Sequence, residues 1–177
     1  MKEPDFPTLW NGWPALDGGR RPTKKDGSKI LKRKILFVCN HNSARSQMAE
    51  ALMNKTCAKV FEAHSAGMEP GTLNPLVVEA MQEIGMDISG HKTKSVTDIL
   101  KSGMTFVRVI TICNETSAER CPVFPGSPAR LHWSFPDPSA FEGTREEKLE
   151  KIRTVRDAIN VKIEQWCSVV CCLEGAF

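Results

Sequence analysis

Cys39-Asn40-His41-Asn42-Ser43-Ala44-Arg45-Ser46 places an arginine and a serine six and seven positions after a cysteine, at the junction of an apolar run and a helix-forming stretch. Loop amides and the start of a helix present N–H donors and a partial positive charge, which suit a tetrahedral oxyanion and stabilise a thiolate. The planar fork of Arg45 can hold two oxygens of such an anion while staying charged. Ser46 can donate its hydroxyl to the Cys39 thiolate. A nucleophile attacking an oxyanion also needs an acid for the departing oxygen, and Phe135-Pro136-Asp137-Pro138-Ser139 offers Asp137 between two prolines that keep it out of a helix. The same cysteine, arginine and aspartate would serve hydrolysis of a phosphate ester through a phosphocysteine.

The elements that must position these groups follow from the pattern beginning at Lys34. Short apolar runs alternate with stretches of helical period, the signature of a parallel sheet with helices on its faces. KILFVC (34–39) is expected as a buried first strand, VFEAHSAG (60–67) as the second, FVRVITIC (106–113) as the third and RLHWSF (130–135) as the fourth. ARSQMAEALMNK (44–55), NPLVVEAMQEIG (74–85), SVTDILKSG (95–103, with Ser95 as N-cap) and REEKLEKIRTVRDAINVKIEQW (145–166) are the expected helices. The sum is an α/β fold of three layers, with a four-stranded parallel sheet flanked by helices and no internal repeat. In such open sheets ligands bind beyond the carboxyl ends of the strands, so Cys39, Ser65, Cys113 and the segment from Phe135 to Pro138 should gather at one edge.

Composition limits the alternatives. A chain of 177 residues, 41% hydrophobic and 25% charged, suffices for one domain with a core. No apolar run reaches membrane-spanning length and no leader pattern opens the chain, so a cytoplasmic protein is expected. Seven cysteines at irregular spacing point to reduced thiols, metal ligands or redox chemistry rather than a disulfide scaffold. No C-x2-C pairs with a second one, which argues against structural zinc. The charge is uneven: residues 1–34 hold nine Lys or Arg against four Asp or Glu, in a chain whose net charge is +3. Residues 1–33 are therefore expected as a flexible basic arm, and residues 34–177 as the single domain. Without aromatics alternating among its charges, the arm is expected to be solvated and not to bind nucleic acid.

Four separated stretches, VCNHNSARSQMAEA, HSAGMEPGTLNPLVVEAMQEIGMDISGHKTKSV, TICNETSAERCPVFPG and HWSFPDPSAFEGTREEKLEKIRTVRDAI, resemble in the same order the arsenate reductases built on the low-molecular-weight tyrosine phosphatase fold. The resemblance runs from Lys34 to about Gln165. It implies reduction of arsenate to arsenite, contributing to arsenic detoxification, with phosphate and sulfate as competing anions. Cys39 would attack arsenic, and residues 40–46 (Asn40, His41, Asn42, Ser43, Ala44, Arg45, Ser46) would cradle the oxyanion. Asp137 would protonate the departing oxygen. Cys113 would then attack Cys39 and release arsenite with a Cys39–Cys113 disulfide, which Cys121 would carry to the surface for thioredoxin. The C-x7-C spacing is one residue longer than in that branch, so glutathione with glutaredoxin stays open as the reductant. No tightly bound cofactor is implied, and a monomer is expected.

The resemblance also implies supporting roles. Asn42 would brace the loop, while Glu50 and Ser65 match positions that in some relatives help hold a potassium ion. The third, acidic position of that site is Lys94 here, whose ammonium would replace the ion. Cys57 is expected to be packing and Cys167, Cys171 and Cys172 to lie on a fraying helix end. His41 should point outward, whereas His64 and His132 are expected as core histidines. Two other functions stay open: a tyrosine phosphatase, disfavoured because Ser139 and Ala140 rather than an aromatic follow the Asp-Pro pair, and a non-catalytic oxyanion or arsenite binder, which would need no Asp137.

Overall fold

Runs of branched and aromatic residues in this chain are long enough to form strands but too short for helices, and they pair side by side. A computed structural model describes residues 32–113, 124 and 128–173. Residues 1–31, with Trp10 and Trp13, and Cys121 lie outside the described residues, as do the side chains of Cys171 and Cys172. The strands are β1 (Arg33–Cys39), β2 (Phe61–Gly67), β3 (Arg108–Ile112) and β4 (Ala129–Trp133), in the order β2-β1-β3-β4. All three pairings are parallel, with Cys39 opposite Gly67 and Ile112 opposite Trp133, so the carboxyl ends share one edge.

The helices are α1 (Arg45–Thr56), α2 (Pro75–Gln82), α3 (Val96–Lys101) and α4 (Arg145–Leu173). Alternation along the strands builds two cores. Ile35, Phe37, Ala63, Ile110 and Ile112 pack with Met48 and Leu52 of α1, Val77 and Met81 of α2, and Ile152 and Ile159 of α4. Leu36, Val38 and Val109 pack with Val96 and Ile99 of α3 and with Phe106 and Phe124. The expected three layers are present, with α1, α2 and α4 on one side of the sheet and α3 on the other.

The helix ends differ in a way that matters for the site. Asn74 caps α2 by accepting the Leu76 N–H at 3.0 Å, with Pro75 at the first helical position. Ser95 caps α3 as expected, accepting the Asp98 N–H at 2.9 Å. Helix α1 has Ala44 at its cap position, no side-chain cap and no acid in its first turn. Its amide end therefore faces the loop before it without a compensating side chain of its own.

Three expectations need correction. Helix α4 does not fray at its expected end: it continues to Leu173, and Cys167 and Val170 are buried. Cys57 does more than pack, because it is joined in a disulfide to Cys167, 110 positions away. The sheet lays the end of α1 against the last turns of α4, a long-range juxtaposition that cysteine spacing cannot reveal. Neither strand histidine is a core residue. His132 is exposed on the edge strand β4, where its Nδ1 lies 2.9 Å from the Thr111 hydroxyl. His64, on the opposite edge strand, is half-buried with Nε2 2.9 Å from Glu62.

Candidate active site

Five residues connect Cys39, the last of β1, to Arg45, the first of α1, and the chain after β2 fixes their orientation. The carbonyls of Cys39, Asn40, His41 and Ser43 accept the N–H groups of Met68, Glu69, Gly71 and Asn74 at 3.1, 2.8, 2.9 and 2.9 Å. With those carbonyls held by that segment, the Asn42 N–H donates to Cys39 Sγ at 3.2 Å. Gly67 makes this docking feasible: a Cβ there would lie 2.7 Å from the Asn42 nitrogen and 2.9 Å from the Asn40 oxygen. Asn42 itself has φ 51°, a left-handed conformation that asparagine tolerates better than most residues.

The buried side chain of Asn42 joins the parts of the loop. Its Nδ2 donates to Ser46 Oγ at 2.9 Å and to Ser65 Oγ at 2.8 Å, while Oδ1 accepts from the Lys94 N–H at 2.8 Å and Gln47 Nε2 at 3.1 Å. All four of its hydrogen-bonding positions are thus used. The consequences run both ways. Ser46 Oγ, accepting from Asn42, has its own proton to give to Cys39 Sγ, 2.9 Å away. Ser65 Oγ, accepting likewise, donates to Glu50. Lys94 Nζ in turn lies 3.1 and 3.3 Å from the two Glu50 oxygens.

Arg45 is 3% exposed although it carries a full charge. Its Nη1 donates to the Phe135 carbonyl at 3.2 Å and its Nη2 pairs with the Asp137 carboxylate. Asp137 caps a single 3-10 turn, Pro138–Ala140, accepting the Ser139 N–H at 3.0 Å and the Ser139 hydroxyl at 2.8 Å. The acid and the arginine, 92 positions apart, thus meet beside the loop. Of the other loop residues, Asn40 and Ser43 are half-buried and Ala44 is buried. His41 is exposed, with Nδ1 3.0 Å from the Glu69 carbonyl.

Cys113 follows β3 directly and is buried, its thiol outside any disulfide. The two thiols thus stand at the carboxyl ends of neighbouring parallel strands.

Residue types and spacing did not single out Gln47, His91 or Gly67. Gln47 is fully buried, donates to Asn42 and to the Lys92 carbonyl at 3.1 Å, and lies 3.0 Å from His91 Nδ1. A polar residue between Ser46 and Met48, in the first turn of a helix with no cap, is the signal that could have found it. Potassium does not fit the residues present: both oxygens of Glu50, the carboxylate that would hold the ion, contact the Lys94 ammonium. Among the described residues no group of three or more His, Cys, Asp or Glu is placed to hold a metal ion, and no helix is long and apolar enough to cross a membrane.

Comparison with known proteins agrees with this geometry. The family model described as "Low molecular weight phosphotyrosine protein phosphatase" matches residues 34–171, six residues beyond the sequence resemblance. An arsenate reductase from Shouchella clausii is 40% identical over 137 residues, 77% of this chain and 96% of its own length. The crystal structure of an arsenate reductase from Archaeoglobus fulgidus superposes with TM-score 0.62 at 30% identity, over 76% of this chain and 98% of that one. A thioredoxin-dependent arsenate reductase from Corynebacterium glutamicum gives TM-score 0.50 at 30% identity, over 76% of this chain and 62% of that one. A nucleophile loop between β1 and α1, an acid after β4 and relatives of this similarity along nearly their whole length agree: the chain belongs to the low molecular weight phosphotyrosine protein phosphatase family and falls with its arsenate reductases.

Proposed function

We propose that this protein reduces arsenate to arsenite with Cys39 as the nucleophile and Cys113 as the second thiol. The observation that carries this reading is the pairing of a thiol held by Ser46 and the Asn42 amide with a second buried thiol at the end of the adjacent strand. Arsenate enters the loop, where amides and Arg45 neutralise its oxygens, and the Cys39 thiolate attacks arsenic. Asp137 gives the departing oxygen a proton, water leaves, and a thiol–arsenate adduct remains. The Cys113 thiolate then attacks Cys39 Sγ. The sulfur–arsenic bond breaks with its electron pair left on arsenic, so arsenite departs as the Cys39–Cys113 disulfide forms.

A phosphatase would use the same loop, Arg45 and Asp137, and would leave Cys113 without a task. Lys94 takes the place of a bound potassium ion, its ammonium balancing Glu50 behind the loop. The disulfide passes to Cys121 and then to thioredoxin, a preference supported by the thioredoxin-dependent relative. With β1 opening at Arg33 rather than Lys34, the reductase domain of a cytoplasmic monomer includes that residue, and the basic segment before it stands apart from the chemistry.

Arsenite production under thioredoxin with its reductase, and in parallel under glutathione with glutaredoxin, tests the reading when Cys39, Cys113 and Cys121 are each changed to Ser. Cys39→Ser and Cys113→Ser should abolish turnover under both. Cys121→Ser should abolish it under thioredoxin only. Hydrolysis of an aryl phosphate with no arsenite formed in either system would overturn the proposal in favour of a phosphatase.

A further inference from the structure

Two of the buried cysteines have no part in the reaction just described. Cys57 closes α1 as its C-cap residue, and its carbonyl accepts the N–H groups of Val60 and Phe61 as the chain turns into β2. Cys167 lies in α4, in the same apolar cluster, 3.7 Å from the Met53 sulfur. Their Cα atoms are 6.5 Å apart, within the span of a disulfide, and each residue is 5% exposed.

We propose that Cys57 and Cys167 are a second redox couple, separate from the reacting thiols, that closes as a disulfide staple between the end of α1 and the last turns of α4. Separation from the site follows from α1 itself. Its 12 residues put about 18 Å between Arg45 and the Cys57 end, so exchange with Cys39 requires unfolding. The surroundings also differ in kind. A helix carboxyl end and apolar neighbours are the opposite of the amide end and donors that activate a thiol. Closure breaks two S–H bonds and forms one S–S bond. The two protons and two electrons pass to a small-molecule disulfide, such as glutathione disulfide, which becomes two thiols. A dithiol reductant reverses it.

The effect is on stability rather than turnover. Cross-linking residues 110 positions apart removes many conformations from the unfolded chain, more than a short loop would. The staple also holds α4 over the aromatic seam of Phe61, Trp166 and Trp133, whose ring centroids lie 5.2 and 6.4 Å apart in succession. Closure of the staple would therefore harden the fold away from the loop.

The test refolds the full chain and its Cys57→Ala, Cys167→Ala double variant in a glutathione/glutathione disulfide buffer. Remaining thiols are then blocked with N-ethylmaleimide, and peptides are mapped without reduction. The Cys57 and Cys167 peptides should be linked, and thermal melting should fall by roughly 5–15 °C on reduction of the wild type. That fall should be absent in the double variant, which keeps the rate of arsenite formation within about twofold. Maleimide on both cysteines after denaturation, or a link from Cys57 to Cys171 or Cys172, would overturn the proposal. So would a linked pair whose reduction leaves melting unchanged. If the double variant does not fold, the oxidised and reduced wild type still decide, since mapping names the pair.

Discussion

Helix α1 has a cysteine at each end, Cys39 six residues before its first turn and Cys57 at its last, and the two ends give the same side chain different chemistry. At the amino end no side chain caps the helix, the loop carbonyls are held by residues 68–74, and donors from Asn42 and Ser46 point at sulfur. At the carboxyl end the sulfur is joined to Cys167 in a core of Met53, Leu52 and Val170. The lesson is that polarity of the helix and hydrogen-bond supply, not burial, separate a nucleophile from a staple. Both sulfurs are almost fully buried.

Changes at the amino end should act on turnover and changes at the far end on stability, and three experiments can break that division. Asp137→Asn keeps the shape beside Arg45 but removes the proton, and should lower arsenite formation about a hundred- to ten-thousandfold while leaving melting close to the wild type. A loss below tenfold would mean that water, or another group, supplies the proton. Lys94→Ala should slow turnover by up to about fivefold, the size of a part-exposed ion pair, in a protein whose activity is indifferent to potassium. Strong activation of the wild type by potassium, with no effect of Lys94→Ala, would return the ion to this site.

The smallest effect is expected far from the loop, where Glu83 at the end of α2 meets α4. The Arg153 guanidinium, donating to its carboxylate, holds Glu83 below the usual carboxylate range, with a further contribution from Arg156. A carboxylate whose pKa is lowered on folding stabilises the fold above its unfolded pKa and loses that contribution as pH falls through the folded value. Arg153→Ala should therefore flatten the acid limb of urea stability below about pH 4.5 without changing turnover at neutral pH. An unchanged acid limb would show that the pair is fully screened.

How much of this was legible in the sequence depended on whether the partners were close in the chain. Cys39 to Ser46 is one continuous segment whose ends are a strand and a helix, so its residue types alone defined an anion-binding loop. Asp137 was found because two prolines isolate it and because parallel strands must end on one edge. Gly67 was not singled out, since its reason is a backbone from another strand end passing where a Cβ would be. Gln47 was hidden in the same way: a buried polar residue declares itself only when its partners, Asn42, Lys92 and His91, are in view. The Cys57–Cys167 pair required knowing which faces of α1 and α4 meet. The position of His132 depended on strand order, because β4 is an edge and its residues away from Trp133 face outward.

The most direct test of Cys39 and Cys113 as a two-electron couple is a single turnover. Fully reduced protein is freed of external thiol, mixed with arsenate, quenched with N-ethylmaleimide and mapped by mass spectrometry while arsenite is counted. Arsenite equal to the protein, appearing together with a peptide pair that links Cys39 to Cys113 and before any reductant is added, is the predicted result. Arsenite that forms without that link, or no arsenite from a protein that hydrolyses aryl phosphate, would contradict it.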